Sequence, residues 1–327
     1  MKAVVTNGDG GVALKSVPKP QPGPTQVLVR IFAAAQNPPD YMKIGFRTTT
    51  GVISGHDFAG RVEEIGADGV DEETGGSFAE YCIADAHILI SLPDSLSYED
   101  AAGLGLAAFT AAQALWISQS GLRPRSTRPI RYLTAVLQIL IWAGASAVGQ
   151  YTVQLAKLSG LQVVATASPK NHALVKALGA DAVFDYRDPE VSAKIRVFTG
   201  DRLAHAVDCI SDATTTRQVA DSFGRNGGVI SLVLDEKVQA NNVQSQFSLV
   251  YTLLGKAFEH PRPYPAIPEH YEFGKTTADL LTRILASGKL KTTPVKLVPN
   301  GLADVGEWLE YQKQGKVSAQ KITYRIA

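Results

Sequence analysis

"IWAGASAVGQ", Ile141 to Gln150, sets small residues between an apolar run and a segment with helical spacing. Gly144, Ser146 and Gly149 keep the spacing of a dinucleotide-binding loop, with serine in the middle glycine's place. In that reading Gly144 permits the tight turn after a strand, and position 146 lets backbone approach a pyrophosphate. Gly149 then allows close helix packing, and the helix N-terminus supplies N–H donors. The same stretch also begins like the elbow of a serine hydrolase, G-x-S-x-G, but that elbow requires glycine at position 148, where Val148 stands. A third reading is a small-residue strand-to-helix turn that binds nothing.

The flanking sequence favours a cofactor loop. Gln138 to Trp142 reads as a strand, Ala147 to Ser159 as a helix, Leu161 to Ala167 as a strand, Asn171 to Leu178 as a helix and Ala182 to Phe184 as a strand. Further strands are predicted at "HAVDCI" and "GGVISLV". Such βαβ alternation predicts an α/β fold with a doubly wound parallel sheet of Rossmann type. The end of the second strand then bears on the choice of cofactor. NAD-preferring folds place an acid there for the ribose 2′-hydroxyl, whereas this chain has "VVATASPKNH", with Ser168, Lys170, Asn171 and His172 and no acid. A unit charge pair at about 4 Å and an effective dielectric near 20 is worth about 4 kcal/mol before screening. An acid would repel a 2′-phosphate and Lys170 would attract one, although a lysine here also suits a solvated helix start. Tyr186, in "VFDYRD", could pack on an adenine or bond the phosphate, or pack on its own sheet edge.

Before this region the chain is rich in Gly and Pro, with short β-branched runs such as "QVLVRI" and "GRVEEIG", which predicts a mostly β unit. After it come a helix "TADLLTRILASG", a strand "PVKLV", a helix near "GLADVGEWLEYQKQG" and a strand "KITYRI". The expected organisation is a first domain over 1–115, a nucleotide domain over 116–265, and a return to the first domain over 266–327. The 327 residues carry a formal net charge of +1, with 45% hydrophobic and 19% charged residues. That balance gives no electrostatic reason for a nucleic-acid or membrane partner. Cys82 and Cys209 form no C-x-x-C pair, so neither a disulfide framework nor a cysteine-rich metal site is expected. The N-terminus lacks signal-peptide features, and the apolar run Tyr132 to Trp142 is too short to span a bilayer. A cytosolic location is the expectation.

Several stretches together resemble the medium-chain dehydrogenase/reductase superfamily: "VLVRIFAAAQNPPDY", "GHDFAGRVEEIG", "GSFAEYCIA", "LPDSLSYEDAAGLGLAAFTAAQAL", "AVGQYTVQLAKLSGLQVVATASPKN", "ALGADAVFDYR" and "GKVSAQKITYRI". They occur in order along nearly the whole chain. Within the superfamily the chain is similar to the quinone-oxidoreductase-like branch, and above all to fungal trans-acting enoyl reductases of polyketide biosynthesis. The resemblance implies a GroES-like catalytic domain enclosing the Rossmann domain, with NADPH as cofactor. It implies that Asn37, Gly144, Ser146, Ala147, Val148, Ser168, Lys170, Asn171, Tyr186, Val233, Val317 and Ser318 contact the cofactor, with Val233 bordering the nicotinamide.

Zinc-dependent relatives carry a cysteine near "AAQNPPD" and a His-Glu pair where this chain has His56 and Asp57. Gln36 and Asn37 replace the cysteine region, and a catalytic zinc needs three protein ligands, so no metal is expected and His56 reads as a hydrogen-bonded turn residue. Catalysis would then be hydride transfer to an activated carbon, with Lys43, Tyr41 and Thr110 as candidates. Lysine normally follows the aspartate of "NPxD" by two residues. Here Met42 holds that place and Lys43 comes one later. The resemblance implies a carrier-bound acyl substrate, and with it a polyketide synthase as partner. "FSLVYTLLGKAFE" offers Phe247, Val250 and Leu254 for its chain, though such residues also suit a core or interface helix. Two departures stand out, a shortened segment near 66–77 and the run Arg123, Arg125, Arg128, Arg131. They keep open a cofactor-binding protein without turnover, and a quinone remains the alternative substrate.

Overall fold

The structure, a computed structural model, describes residues 1–46, 50–67, 75–119, 137–260 and 262–327. The run Arg123 to Arg131 and residues 68–74 of the shortened segment lie outside the described residues, as does the side chain of Lys43. The chain divides into two compact units, one of Met1–Leu106 with Thr252–Ala327 and one of Ala107–Tyr251.

The first unit begins with β1 (Lys2–Thr6) and β2 (Val12–Ser16), an antiparallel pair. Next come β3 (Gln26–Ala35), α1 (Pro38–Phe46), β4 (Asp57–Ile65), β5 (Tyr81–Asp85) and the single turn α2 (Tyr98–Ala101). β3 is the central strand. Its first half pairs with β5, its last residues pair with the chain's closing strand, and its other edge pairs with β4 along its length. Its residues Val27, Leu28, Val29, Ile31 and Ala33 to Ala35 are all buried, which fits a strand flanked on both edges. β4 becomes exposed beyond Gly60, and Val62 and Ile65 lie open to solvent.

α3 (Gly105–Trp116) leads into the second unit, where β6 (Gln138–Trp142), α4 (Ala147–Leu158), β7 (Gln162–Thr166), α5 (His172–Ala177), β8 (Ala182–Phe184), α6 (Val191–Thr199), β9 (His205–Asp208), α7 (Ala213–Ser222), β10 (Gly228–Leu232) and β11 (Val243–Phe247) alternate. Among the described residues the strands form one parallel sheet in the order β11-β10-β9-β6-β7-β8. Chain order reverses between β6 and β9, the switch point where doubly wound folds bind ligands beyond the strand carboxyl ends. Leu140, Trp142, Val164, Ile195, Val219 and Ile230 belong to the packed core of this unit. The inner strands β6, β7 and β9 bury nearly every residue, as parallel strands under helices on either side require, whereas the edge strands β8 and β11 stay partly or fully exposed.

The first unit resumes with β12 (Phe258–Glu259), β13 (Pro263–Tyr264), α8 (Pro268–Ala286), β14 (Val295–Val298), α9 (Val305–Lys313) and β15 (Lys321–Arg325). Two helices differ from expectation. The segment Asn171 to Leu178 starts earlier, as a 3-10 turn over Pro169–Asn171 that continues into α5, because Pro169 fixes the first turn. α8 begins at Pro268, well before "TADLL". Gly274 interrupts the apolar pattern there because a Cβ would stand 3.2 Å from the Leu253 carbonyl oxygen, so the glycine serves close packing within a continuing helix. No helix among the described residues is long and apolar enough to cross a membrane.

Candidate cofactor and catalytic sites

The glycine loop joins β6 to α4. Ala143 takes a left-handed φ of 58°, and the N–H groups of Ala143 and Gly144 donate to Thr166 Oγ1 (3.0 Å) and the Thr166 carbonyl (2.8 Å) at the end of β7. Ser146 is the N-cap of α4, its Oγ accepting from the Gly149 N–H at 3.0 Å. A Cβ on Gly149 would sit 2.2 Å from the Ala143 carbonyl oxygen, and one on Gly144 would press Ala165 and Val175 at 3.1 and 3.2 Å. Both glycines therefore let helix and strand close on the loop. Ser146, Ala147 and Val148 stay partly exposed at the helix start, where the first-turn N–H groups have no partner within the helix. That donor set suits a phosphate.

At the end of β7, Ser168 is buried and accepts from Asn171 Nδ2 at 3.1 Å, while Lys170 is exposed. The Ala167 N–H donates to the Phe184 carbonyl at 3.0 Å, which brings the ends of β7 and β8 together. Tyr186 is exposed beside that junction, and the guanidinium of Arg187 lies 5.3 Å from its ring centre. Arg187 is a second cation at this end of the sheet. In "VFDYRD" an arginine beside two aspartates looks like an ordinary surface ion pair, which leaves only the aromatic conspicuous in the sequence. Asp185 does lie 3.9 Å from it and accepts its backbone N–H. A phosphate-bearing dinucleotide fits these donors and cations.

On the other side of the switch point, Val233 is partly exposed just past β10. Leu232 pairs with Phe247, so Phe247 ends β11 on the same carboxyl edge. Leu249 and Leu253 are core residues, and Val250 opens a 3-10 turn that ends at Leu254, which is exposed. Thr110 is buried within α3.

In the first unit Asn37, Asp40, His56, Asp57 and Lys321 form a polar cluster that is largely buried. Lys321 Nζ lies 3.1 Å from Asp57 Oδ2, with side chains 4% and 2% exposed, and donates to Asn37 Oδ1 at 2.5 Å. Asn37 Nδ2 donates to Asp57 Oδ2 at 3.0 Å, and Asp57 Oδ1 accepts the Leu106 N–H at 2.6 Å. The Asn37 N–H donates to Asp40 Oδ2 at 2.6 Å, and the other oxygen of Asp40 bonds His56 Nδ1. Gly103 and Gly105 pass over this cluster: a Cβ on the first would meet Lys321 Cγ at 2.5 Å, and on the second Asp57 Oδ1 at 2.8 Å. His56 is thus the hydrogen-bonded residue the sequence suggested, and the positive charge facing Asp57 is an ammonium. Among the described residues no group of three or more His, Cys, Asp or Glu could hold a metal ion. Asn37 spends both ends of its amide within the cluster, a commitment hidden in the sequence because Lys321 is 284 positions away.

Tyr41, on α1, packs partly buried against the core of the first unit. Burial raises its phenol above the ordinary value, so it holds its proton at neutral pH and beyond. Val317 packs on the same core, and Ser318 is exposed in the turn before β15.

Residues 23–94 match the family model for the alcohol dehydrogenase GroES-like domain, and residues 147–255 that for zinc-binding dehydrogenases. The trans-enoyl reductase ACTTS2 of Alternaria alternata is 35% identical over 347 residues, covering 99% of this chain and 98% of the relative. Among solved structures, a putative zinc-dependent alcohol dehydrogenase from Rhizobium etli CFN 42 superposes with a TM-score of 0.81 at 25% identity, covering 100% of this chain and 98% of that one. A mycobacterial structure complexed with NADPH shares the fold, with a TM-score of 0.75 at 22% identity over 99% of each chain.

Proposed function

Since the chain belongs to the medium-chain dehydrogenase/reductase superfamily, among relatives of the fungal trans-enoyl reductases, we propose that this oxidoreductase is an NADPH-dependent enoyl reductase. Its substrate would be an α,β-unsaturated thioester carried by a polyketide synthase. The observation that carries the cofactor choice is the acid-free end of β7, where Lys170 is exposed beside Ser168 and Asn171. NADPH, when bound, supplies the hydride for the β-carbon of the enoyl group. The residues of this chain would do the rest. Ser146, Ala147 and Val148 would hold the pyrophosphate, Lys170, Tyr186 and Arg187 would meet the 2′-phosphate, and Val233 would border the nicotinamide. Tyr41, Lys43 and Thr110 are the candidates to deliver the proton to the α-carbon.

Lys170→Glu tests the cofactor assignment. It replaces attraction by repulsion at an exposed site, where about 1 to 2 kcal/mol survives screening, so NADPH affinity should fall roughly ten-fold relative to NADH. Titration of parent and variant with both nicotinamides measures this. A parent that prefers NADH would overturn the assignment.

The substrate class rests on relatives named trans-enoyl reductases and on Phe247, Val250 and Leu254, which the core leaves partly or fully exposed. Burial of about 0.8 kcal/mol per methylene predicts a rise in kcat/KM of three- to four-fold for each carbon the pocket accepts. A series of enoyl thioesters of rising length measures it. A flat series with faster quinone reduction would move the assignment to a quinone, and NADPH binding without turnover of either class would identify a binding protein.

A further inference from the structure

Ser211 stands in a left-handed conformation, φ 63°, in the turn that leaves β9, although it carries a side chain. It is buried, and its hydroxyl has two partners: Oγ donates to the Asp208 carbonyl at 2.8 Å and accepts the Val233 N–H at 2.9 Å. The turn itself is fixed by Asp208, whose Oδ1 accepts the N–H groups of Ile210 and Ser211, both at 3.0 Å, and whose Oδ2 accepts Thr215 Oγ1 at 2.6 Å. Left-handed backbone on a residue with a Cβ is held only where surrounding contacts over-determine it, and such residues gather at ligand sites. Ala143, in the glycine loop, is a second residue of this kind on the same strand edge. The two are linked, because Cys209 next to the Ser211 turn donates its N–H to the Trp142 carbonyl at 3.3 Å.

These bonds run in one direction from the switch point, across the ends of β6, β9 and β10. A dinucleotide whose adenosine lies toward β7 and β8 places its nicotinamide toward β9 and β10. We propose that Ser211 is a positioning residue for the nicotinamide half of the cofactor. By taking up the Val233 N–H, its hydroxyl turns the peptide plane after β10 and fixes which backbone groups of Val233 and Leu234 face the carboxamide. The inference rests on the cofactor reading above.

Ser211→Gly separates the two. Glycine accepts φ 63° without strain, so the variant folds while losing the bond to Val233. The dissociation constant of NADPH should rise about three- to ten-fold, the weight of one hydrogen bond that orders a loop. Adenosine 2′,5′-bisphosphate, which lacks the nicotinamide half, should bind parent and variant alike, whatever the lost bonds cost in thermal unfolding. Ser211→Ala should give the same split. NADPH binding equal in parent and variant, or a parallel loss for both ligands, would overturn the positioning role alone. A parent that binds neither ligand would overturn the cofactor reading and this inference with it.

Discussion

Lys321→Met is expected to destabilise the protein by about 3–5 kcal/mol, because it leaves the carboxylate of Asp57 buried without its cation. Methionine keeps most of the volume of the lysine stem, so little of the loss comes from packing. The Leu106 N–H and the Asn37 amide would still reach Asp57, but two neutral donors do not replace a full charge in a site from which water is excluded. The Asn37 carbonyl oxygen also loses its donor. Asp57→Asn combined with Lys321→Met removes both charges, and should recover a large part of the loss, since burying neutral groups avoids the desolvation of an unpaired ion. Urea unfolding of the parent, both single variants and the double variant gives the interaction energy. A single-variant loss below about 1 kcal/mol would mean that water reaches the pair and screens it.

This cluster also shows what a linear reading can and cannot find. β6, α4 and β7 were legible because each depends on neighbours in sequence: apolar runs set the strands, and Gly144, Ser146 and Gly149 set the turn between them. The residues proposed to meet a cofactor phosphate follow from that turn, since backbone N–H groups at a helix start need no particular side chain. Asn37, Asp57 and Lys321 lie on three distant segments and become partners only when β15 pairs with the end of β3. Asn37 and Asp57 draw attention only through the resemblance, and Lys321 alone looks like a surface residue. The resemblance to zinc-dependent relatives points to the missing ligands, but nothing local points to a lysine near the C-terminal end as the partner of Asn37 and Asp57. Arg187 escaped for the opposite reason, because its neighbours Asp185 and Asp188 offered a sufficient local account. Ser211 escaped because a positive φ has no signature in a residue other than glycine, and Asp212 beside it caps α7.

Gly149→Val is expected to abolish useful cofactor binding, with a rise in the NADPH dissociation constant of about 100-fold or more. The first branch of the side chain would have to occupy a point 2.2 Å from the Ala143 carbonyl oxygen, 2.8 Å from Gly144 Cα and 2.9 Å from Ser146 Oγ. Two of those three atoms are backbone, so no rotamer change relieves the overlap, and α4 must shift away from the loop. The shift moves the N–H groups that are to meet the pyrophosphate. Hydrogen bonds to a charged partner are worth about 1.5–3 kcal/mol each, so misplacing one or two accounts for the 100-fold loss. The same shift breaks the cap, because the Gly149 N–H would no longer reach Ser146 Oγ, and costs a further 1 kcal/mol or so of stability. Ser146→Ala separates these effects. It removes the cap without moving the helix, so it should weaken folding by about that amount while the NADPH dissociation constant rises less than ten-fold. If Gly149→Val bound NADPH as tightly as Ser146→Ala, the close approach of helix and loop would not be what builds the phosphate site, and the reading of Gly144 to Gly149 as a dinucleotide cradle would fall with it.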